Sequence, residues 1–300
     1  MTKIPYNKPA TTHADQIRLL KSRGMIIDDE DLALHKLQHY SYYRLGAYWL
    51  PFEADHATHQ FKENTKFEDV LRLYNFDRRL RLCVLDAIER IEVSVRAQWA
   101  HKLGHLHGSH AHLDSSIAQN RYLWTQNKTV LKKEVDRADE VFINHLTNKY
   151  SDELPPIWAV CEVMSLGLLS KWYSNLKPPH TRRLIANVYA LDEAVLESWL
   201  HHLTVVRNTC AHHSRLWNRN FSRVLPKHTQ NKPAKLKGEF INDTRLYNSF
   251  VILLHMMDVL MMKNEWRSRL IQLLLEHEDC LPNMGFPADW LQKEIWKEAT

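Results

Sequence analysis

From Trp199 to Arg219 the chain reads Trp-Leu-His-His-Leu-Thr-Val-Val-Arg-Asn-Thr-Cys-Ala-His-His-Ser-Arg-Leu-Trp-Asn-Arg. Arg207, Asn208 and His212 are the residues here whose types could do chemistry together. Histidine titrates near neutrality and can move protons. Arginine offers a planar fork to two phosphate oxygens and offsets charge that develops on them. Asparagine can orient an imidazole or a phosphate oxygen. This set suits RNA cleavage by the ribose 2′-hydroxyl. The substrate then carries its own nucleophile, and the protein only moves protons and stabilises the phosphorane. That chemistry calls for no metal or other cofactor, and it leaves a 2′,3′-cyclic phosphate and a 5′-hydroxyl. An arginine and a histidine at this spacing also arise by chance in many helices, so the spacing alone does not establish a site.

The surroundings favour a polyanion. No aspartate or glutamate occurs from Val205 to Lys237, while Arg207, Arg215, Arg219, Arg223, Lys227, Lys232, Lys235 and Lys237 all do. Of these, Arg215, Arg219, Arg223 and Lys227 are the candidates for holding an RNA backbone. Trp217 and Phe221 are interleaved with them and could stack bases, although core packing is the commoner fate of such residues. The net charge of +5 is by itself only mildly basic. His213 adjoins His212, and His212 is the favoured imidazole.

Helices must position these groups. The chain has seven glycines in 300 residues, and strand alternation and hairpin signals are scarce. The spacing predicts helices at residues 13–23 (ended by Gly24), 29–39, 41–50, 67–103, 128–149, 157–175, 181–190, 192–213, 243–263, 264–278 and 287–298. Pro51, Pro155-Pro156, Pro178-Pro179, Pro226 and Pro282 separate them. The long helix at 67–103 has an inner stripe of Leu80, Val84, Ile88, Ile91, Val95 and Trp99. Its other face carries Arg78, Arg79, Arg81, Glu89, Arg90, Glu92 and Arg96, for solvent or a partner helix. Asp192 is the expected N-cap of the helix that carries Arg207. If that helix continues past residue 213, Asn208, His212, Arg215 and Arg219 form one stripe. The stretch 225–240 reads as a loop, and Phe250–Met262 as a buried helix too short to span a bilayer.

From these residues the chain resembles the Abi-like (abortive infection) branch of the HEPN superfamily. That family's mark is an arginine, a polar residue, and a histidine a few residues on; here Arg207-Asn208-Thr209-Cys210-Ala211-His212. Further blocks carry the likeness: Tyr6-Asn7-Lys8-Pro9 with Gln16-Ile17 and Leu20–Gly24, then Tyr42–Trp49, then Phe76–Arg81 running into Ala87–Glu92. The last block is Pro156-Ile157-Trp158-Ala159 with Glu162, Ser165 and Gly167. The resemblance covers roughly residues 1–225. It implies an all-α HEPN-type bundle: a single domain with a core at about 65–225, N-terminal helices at 1–60 and a C-terminal extension at 226–300. It implies a homodimer that sets two Arg-His motifs across one cleft. It also implies an RNA target, a role in growth arrest or phage defence, and restraint by a structured RNA antitoxin.

Other clusters are read as follows. His101, His105, His107, His110 and His112 are expected in a polar loop, with no carboxylate or cysteine at ligand spacing to make it a metal site. Glu89 and Glu92 are expected in surface ion pairs. Glu162 is a candidate buried partner for an arginine near the site. Most of the ten tryptophans are expected in the core. Four widely separated cysteines and the lack of a signal-like N-terminus point to a cytoplasmic protein with no membrane segment. An RNA-cleaving toxin is the leading reading. A helical RNA-binding or scaffold protein that does not cut is the alternative, and a partner of a nucleotidyltransferase is a third.

Overall fold

A computed structural model describes residues 5–177, 180–229, 233–261 and 265–297. Pro178-Pro179, Lys232 of the basic run and Met262 of the apolar stretch lie outside the described residues, as does the last residue of the predicted 287–298 helix. The chain is mostly helical, as expected. No described helix is long and apolar enough to cross a membrane. Two compact units divide at Arg79/Leu80.

The first unit holds α1 (His13–Ser22), α2 (Glu30–Tyr40), α3 (Tyr42–Trp49), a hairpin of β1 (Glu53–Asp55) and β2 (Gln60–Phe61), and the start of α4 (Phe67–His107). Nothing in the spacing announces the hairpin. Asp55 shapes its turn by accepting from the Ala57 N–H at 2.8 Å and the Thr58 hydroxyl at 2.6 Å. Thr12 and Asp15 form a capping box at the head of α1. Gly24 closes its tail at φ +92, with Gly24 N–H donating to Lys21 O and Met25 N–H to Leu20 O. The aromatic block is only partly core: Tyr48 and Trp49 are buried, while Tyr43 is exposed. Tyr48 Oη donates to Asp77 at 2.6 Å.

The second unit begins within α4, which runs unbroken to His107, past the expected end at residue 103, so His101, His105 and His107 are helical and not in a loop. Its stripe from Leu80 to Trp99 is completely buried, as the spacing predicts. The single helix expected at 128–149 is two, α5 (Arg121–Arg137) and α6 (Val141–Lys149). The one expected at 157–175 is also two, α7 (Ile157–Val163) and α8 (Leu166–Ser174). Met164 is the C-cap of the first and Ser165 the N-cap of the second; the Ser165 N–H and hydroxyl both donate to Glu134. α9 (His180–Ala186) and α10 (Glu193–Ala211) follow. Trp99, Trp124 and Trp172 form an aromatic core, with the Trp172 ring centroid 5.9 Å from that of Trp99 and 4.3 Å from that of Trp124. α11 (Tyr247–Leu260) is buried on all sides from Tyr247 to Met257, as a helix without a polar face must be. α12 (Glu265–Leu275) is tied to α4 by Trp266 Nε1 donating to Cys83 O at 2.7 Å and by the Arg269–Asp86 pair. The predicted 287–298 helix is instead a pair of short 3-10 turns. Trp290 and Trp296 pack there against Phe286. Trp296 also reaches Tyr247 and Phe250 on α11.

Candidate active site

Helix α10 carries the candidate residues, and its neighbours fix it firmly. Gly167 on α8 lets that helix come close: a Cβ there would lie 3.2 Å from Thr204 Cγ2 on α10. Arg182 of α9 pairs with Glu197. Asp192 is the N-cap in extended backbone, as expected, but its side chain makes no capping bond. Leu196, Trp199, Leu200, Leu203 and Val206 are fully buried.

Arg207 sits in the last turn of α10, partly exposed, with Nη1 donating to Asn208 Oδ1 at 3.4 Å. His212 is the C-cap, and its side chain is exposed. The helix therefore stops at Ala211, and the stripe expected to run on through Arg215 and Arg219 does not form. A Schellman closure ends it: His213 N–H donates to Cys210 O at 3.0 Å and Ser214 N–H to Thr209 O at 3.0 Å. The same closure at α1 uses Gly24. Here the left-handed position, φ +56, is held by His213. A side chain at such a position costs about 1–2 kcal/mol. His213→Val is accordingly expected to be less stable than His213→Gly by about that amount. Both variants lose the imidazole, so the difference isolates the backbone term. Equal denaturant midpoints for the two would contradict the geometry.

Beyond the turn the chain doubles back along α10. His202 Nδ1 donates to Val224 O at 2.7 Å, Trp199 Nε1 donates to Lys227 O at 2.9 Å, and Lys227 N–H donates to Ser198 Oγ at 2.9 Å. Arg223 and Lys227 are exposed but lie beside the first half of α10. By helix rise, Trp199 is about 20 Å from His212. Arg219 stays near the turn and donates to Arg215 O at 3.4 Å. Of the four candidate RNA-binding cations, Arg215 and Arg219 thus stay near the turn, while Arg223 and Lys227 lie back along α10, away from His212. Trp217 and Phe221 are buried, with Trp217 Nε1 donating to Cys280 O at 3.0 Å, so they are core and not a stacking platform.

Sequence spacing alone misses a carboxylate. Glu162, the candidate buried partner, is exposed. Glu92 on α4 is buried instead of lying in a surface pair. It pairs with Arg96 one turn on, accepts from the Leu166 N–H, and attracts Arg207 electrostatically. Burial pushes its carboxyl above the ordinary carboxylate range, against the pull of Arg96 and Arg207. Arg96 also donates to Met164 O. The signal that could have found this pair was the (i, i+4) spacing of Glu92 and Arg96, which reads equally well as a solvent pair.

Among the described residues, one group of potential metal ligands comes together, His277, Asp279 and Cys280, with ligand atoms within 4.8 Å of one another. It lies in the turn after α12 and not at Arg207. The histidines between His101 and His112 form no such group among the described residues.

No curated protein and no solved structure matches the chain. A family model described as Abi-like protein matches residues 35–218, more than half of the chain. The match runs from within α2 to beyond the Schellman turn, so it takes in Glu92, Arg96, Arg207, Asn208 and His212. The chain belongs to the Abi-like protein family.

Proposed function

We propose that this Abi-like protein is a metal-independent endoribonuclease toxin of the HEPN superfamily, cleaving RNA with Arg207 and His212. Membership of the family points to abortive-infection defence. The observation that carries the enzymatic reading is the placement of Arg207, Asn208 and His212 together at the accessible end of α10.

In this reading Asn208 orients the Arg207 guanidinium, whose remaining N–H groups take the non-bridging phosphate oxygens. His212 accepts the proton of the 2′-hydroxyl as the 2′-oxygen bonds to phosphorus. The P–O5′ bond then breaks, and the leaving oxygen takes a proton from the second protomer's equivalent histidine in a homodimer. The acting form is cytoplasmic, with a structured RNA as its antitoxin. The HEPN-type core is taken as about 65–225. Purified protein incubated with total RNA in EDTA tests the reading. Cleavage that leaves cyclic phosphates supports it; binding without cleavage, with or without metal, favours the non-catalytic RNA-binding or scaffold alternative.

Arg223 and Lys227 make a separate expectation. Single-stranded RNA loses affinity with salt at a slope of about −0.7 per phosphate neutralised. Replacing both Arg223 and Lys227 with alanine should flatten the plot of log affinity against log salt by about 1.4. An unchanged slope would remove these two residues from the RNA path.

A further inference from the structure

Nine of the ten tryptophans are buried, whereas Trp158 on α7 is 56% exposed. Its indole walls a cavity of about 320 Å³, within the range of roughly 300–1,000 Å³ typical of ligand pockets. Ala97, Ala100 and Gly104 of α4 form its small-residue floor, and His101 and Glu162 also line it. Gly104 matters to the shape: a Cβ there would already touch Ile157 Cγ2 at 3.6 Å and the Trp158 ring at 3.9 Å. The lining thus combines small residues with an exposed indole and an exposed carboxylate. Cys161 in its wall stays a neutral thiol, since burial and the neighbouring Glu162 push its pKa up to about 12, and its Sγ donates to Trp158 O at 3.4 Å.

The position is as informative as the shape. Ala97 follows Arg96, which pairs with Glu92, and Glu92 attracts Arg207. From Glu92 to Ala100 the helix rises about 12 Å. Arg96 also donates to Met164 O between α7 and α8, and Gly167 of α8 packs on Thr204, one turn before Arg207, so a base near a strand held at Arg207 is the one this cavity would take. An exposed indole stacks any base. A carboxylate is more selective, because it only accepts hydrogen bonds. Guanine alone presents two adjacent donors, N1–H and N2–H, on its Watson–Crick edge. Adenine and cytosine set a ring acceptor beside their amine, and uracil has one donor between two carbonyls.

We propose that the Trp158 cavity is a guanine-reading subsite, in which the base stacks on Trp158 and its Watson–Crick edge donates to Glu162. The proposal deepens the ribonuclease reading and rests on it for the identity of the ligand. The test uses the full-length protein and short 2′-O-methyl oligouridines that cannot be cleaved, carrying one central guanine or one central adenine. Binding is read by fluorescence polarisation, and cleavage is mapped separately by sequencing RNA 5′ ends. The guanine oligomer should bind about tenfold tighter than the adenine one, as a bidentate contact allows. Glu162→Gln, isosteric and at an exposed position, should erase that preference and leave the adenine oligomer's affinity in place. Trp158→Ala should weaken both oligomers about tenfold. Equal binding of the two oligomers by the unmodified protein, or a preference that survives Glu162→Gln, overturns the subsite whatever the cleavage assay shows. Guanine-selective, Glu162-dependent binding with no cleavage of any RNA sustains the subsite and sinks the nuclease reading instead.

Discussion

RNA cleavage by the Arg207→Ala protein is expected to fall roughly 10²- to 10³-fold, the usual loss when one preorganised charge-stabilising donor is removed. His212→Ala should cost a comparable or greater factor, about 10²- to 10⁴-fold, because a positioned acid–base group is lost. The double variant should be little worse than either single one, since the two residues act on the same transition state. Neither change should unfold the protein. Arg207 is partly exposed, His212 is exposed, and the apolar face of α10 beneath them is untouched. Arg96 still compensates Glu92 when Arg207 is gone. Initial rates on a defined RNA, beside thermal midpoints, check both halves of the expectation. Soluble, folded Arg207→Ala and His212→Ala proteins that cut at the original rate would end the assignment. If His213→Ala alone abolished cutting, the chemistry would move to the neighbouring imidazole.

Acid should destabilise the fold from about pH 6.5 downward, through histidines buried in the neutral form. Burial lowers the imidazoles of His112, His202 and His255 from 6.5 to about 4. Two of them donate to backbone carbonyls, which pulls the other way without overcoming burial. His202 Nδ1 donates to Val224 O, so its Nε2 accepts from the Ser249 hydroxyl at 2.8 Å. His255 Nε2 donates to Tyr189 O at 2.8 Å. The sign follows from proton counting. Below about pH 6.5 the unfolded chain takes up protons at these positions, while the folded chain refuses them until about pH 4. Their contribution is complete above pH 6.5, declines between 6.5 and 4, and is lost below. A tenfold change in proton affinity is worth about 1.4 kcal/mol, so each histidine removes on the order of 1–3 kcal/mol across that window. Urea denaturation at pH 7 and pH 5 should show a large loss of unfolding free energy, partly restored in a His255→Asn variant. A flat profile between those values would contradict the buried neutral state. His202 also holds the returning basic segment, so exchange of the Val224–Lys227 amides should rise in the same range.

The parts of the fold that could be read from the sequence are those where one local pattern decides. The stripe from Leu80 to Trp99 admits one solution, and the all-apolar run from Phe250 must be enclosed. Gly24 announces its own turn. The helix break at Met164–Ser165 was legible only through Ser165, whose capping role competes with the apolar pattern running through it. The break between Arg137 and Val141 has no glycine or proline at all. The 287–298 segment has helical periodicity, but Trp290 and Trp296 pack against Phe286 and α11, and tertiary burial outweighs propensity there. At the site, Arg207, Asn208 and His212 were visible as residue types, but the helix end was not. The cause is His213 in a position usually given to glycine, a cue that periodicity cannot supply. The burial of Glu92 was missed because its (i, i+4) pairing with Arg96 reads equally well as a solvent pair.

Helix α4 is a single uninterrupted rod from Phe67 to His107, and it carries both Glu92 and the floor residues Ala97, Ala100 and Gly104. With 3.6 residues per turn, one added residue between Arg96 and Ala97 would swing everything downstream by about 100°. The Glu92–Arg96 pair and the recess beside Trp158 would then look in different directions. Such a protein could keep its scissile chemistry and lose its sense of where along a transcript to apply it. The rod would act as a gauge whose phase, more than its composition, is what evolution must leave alone.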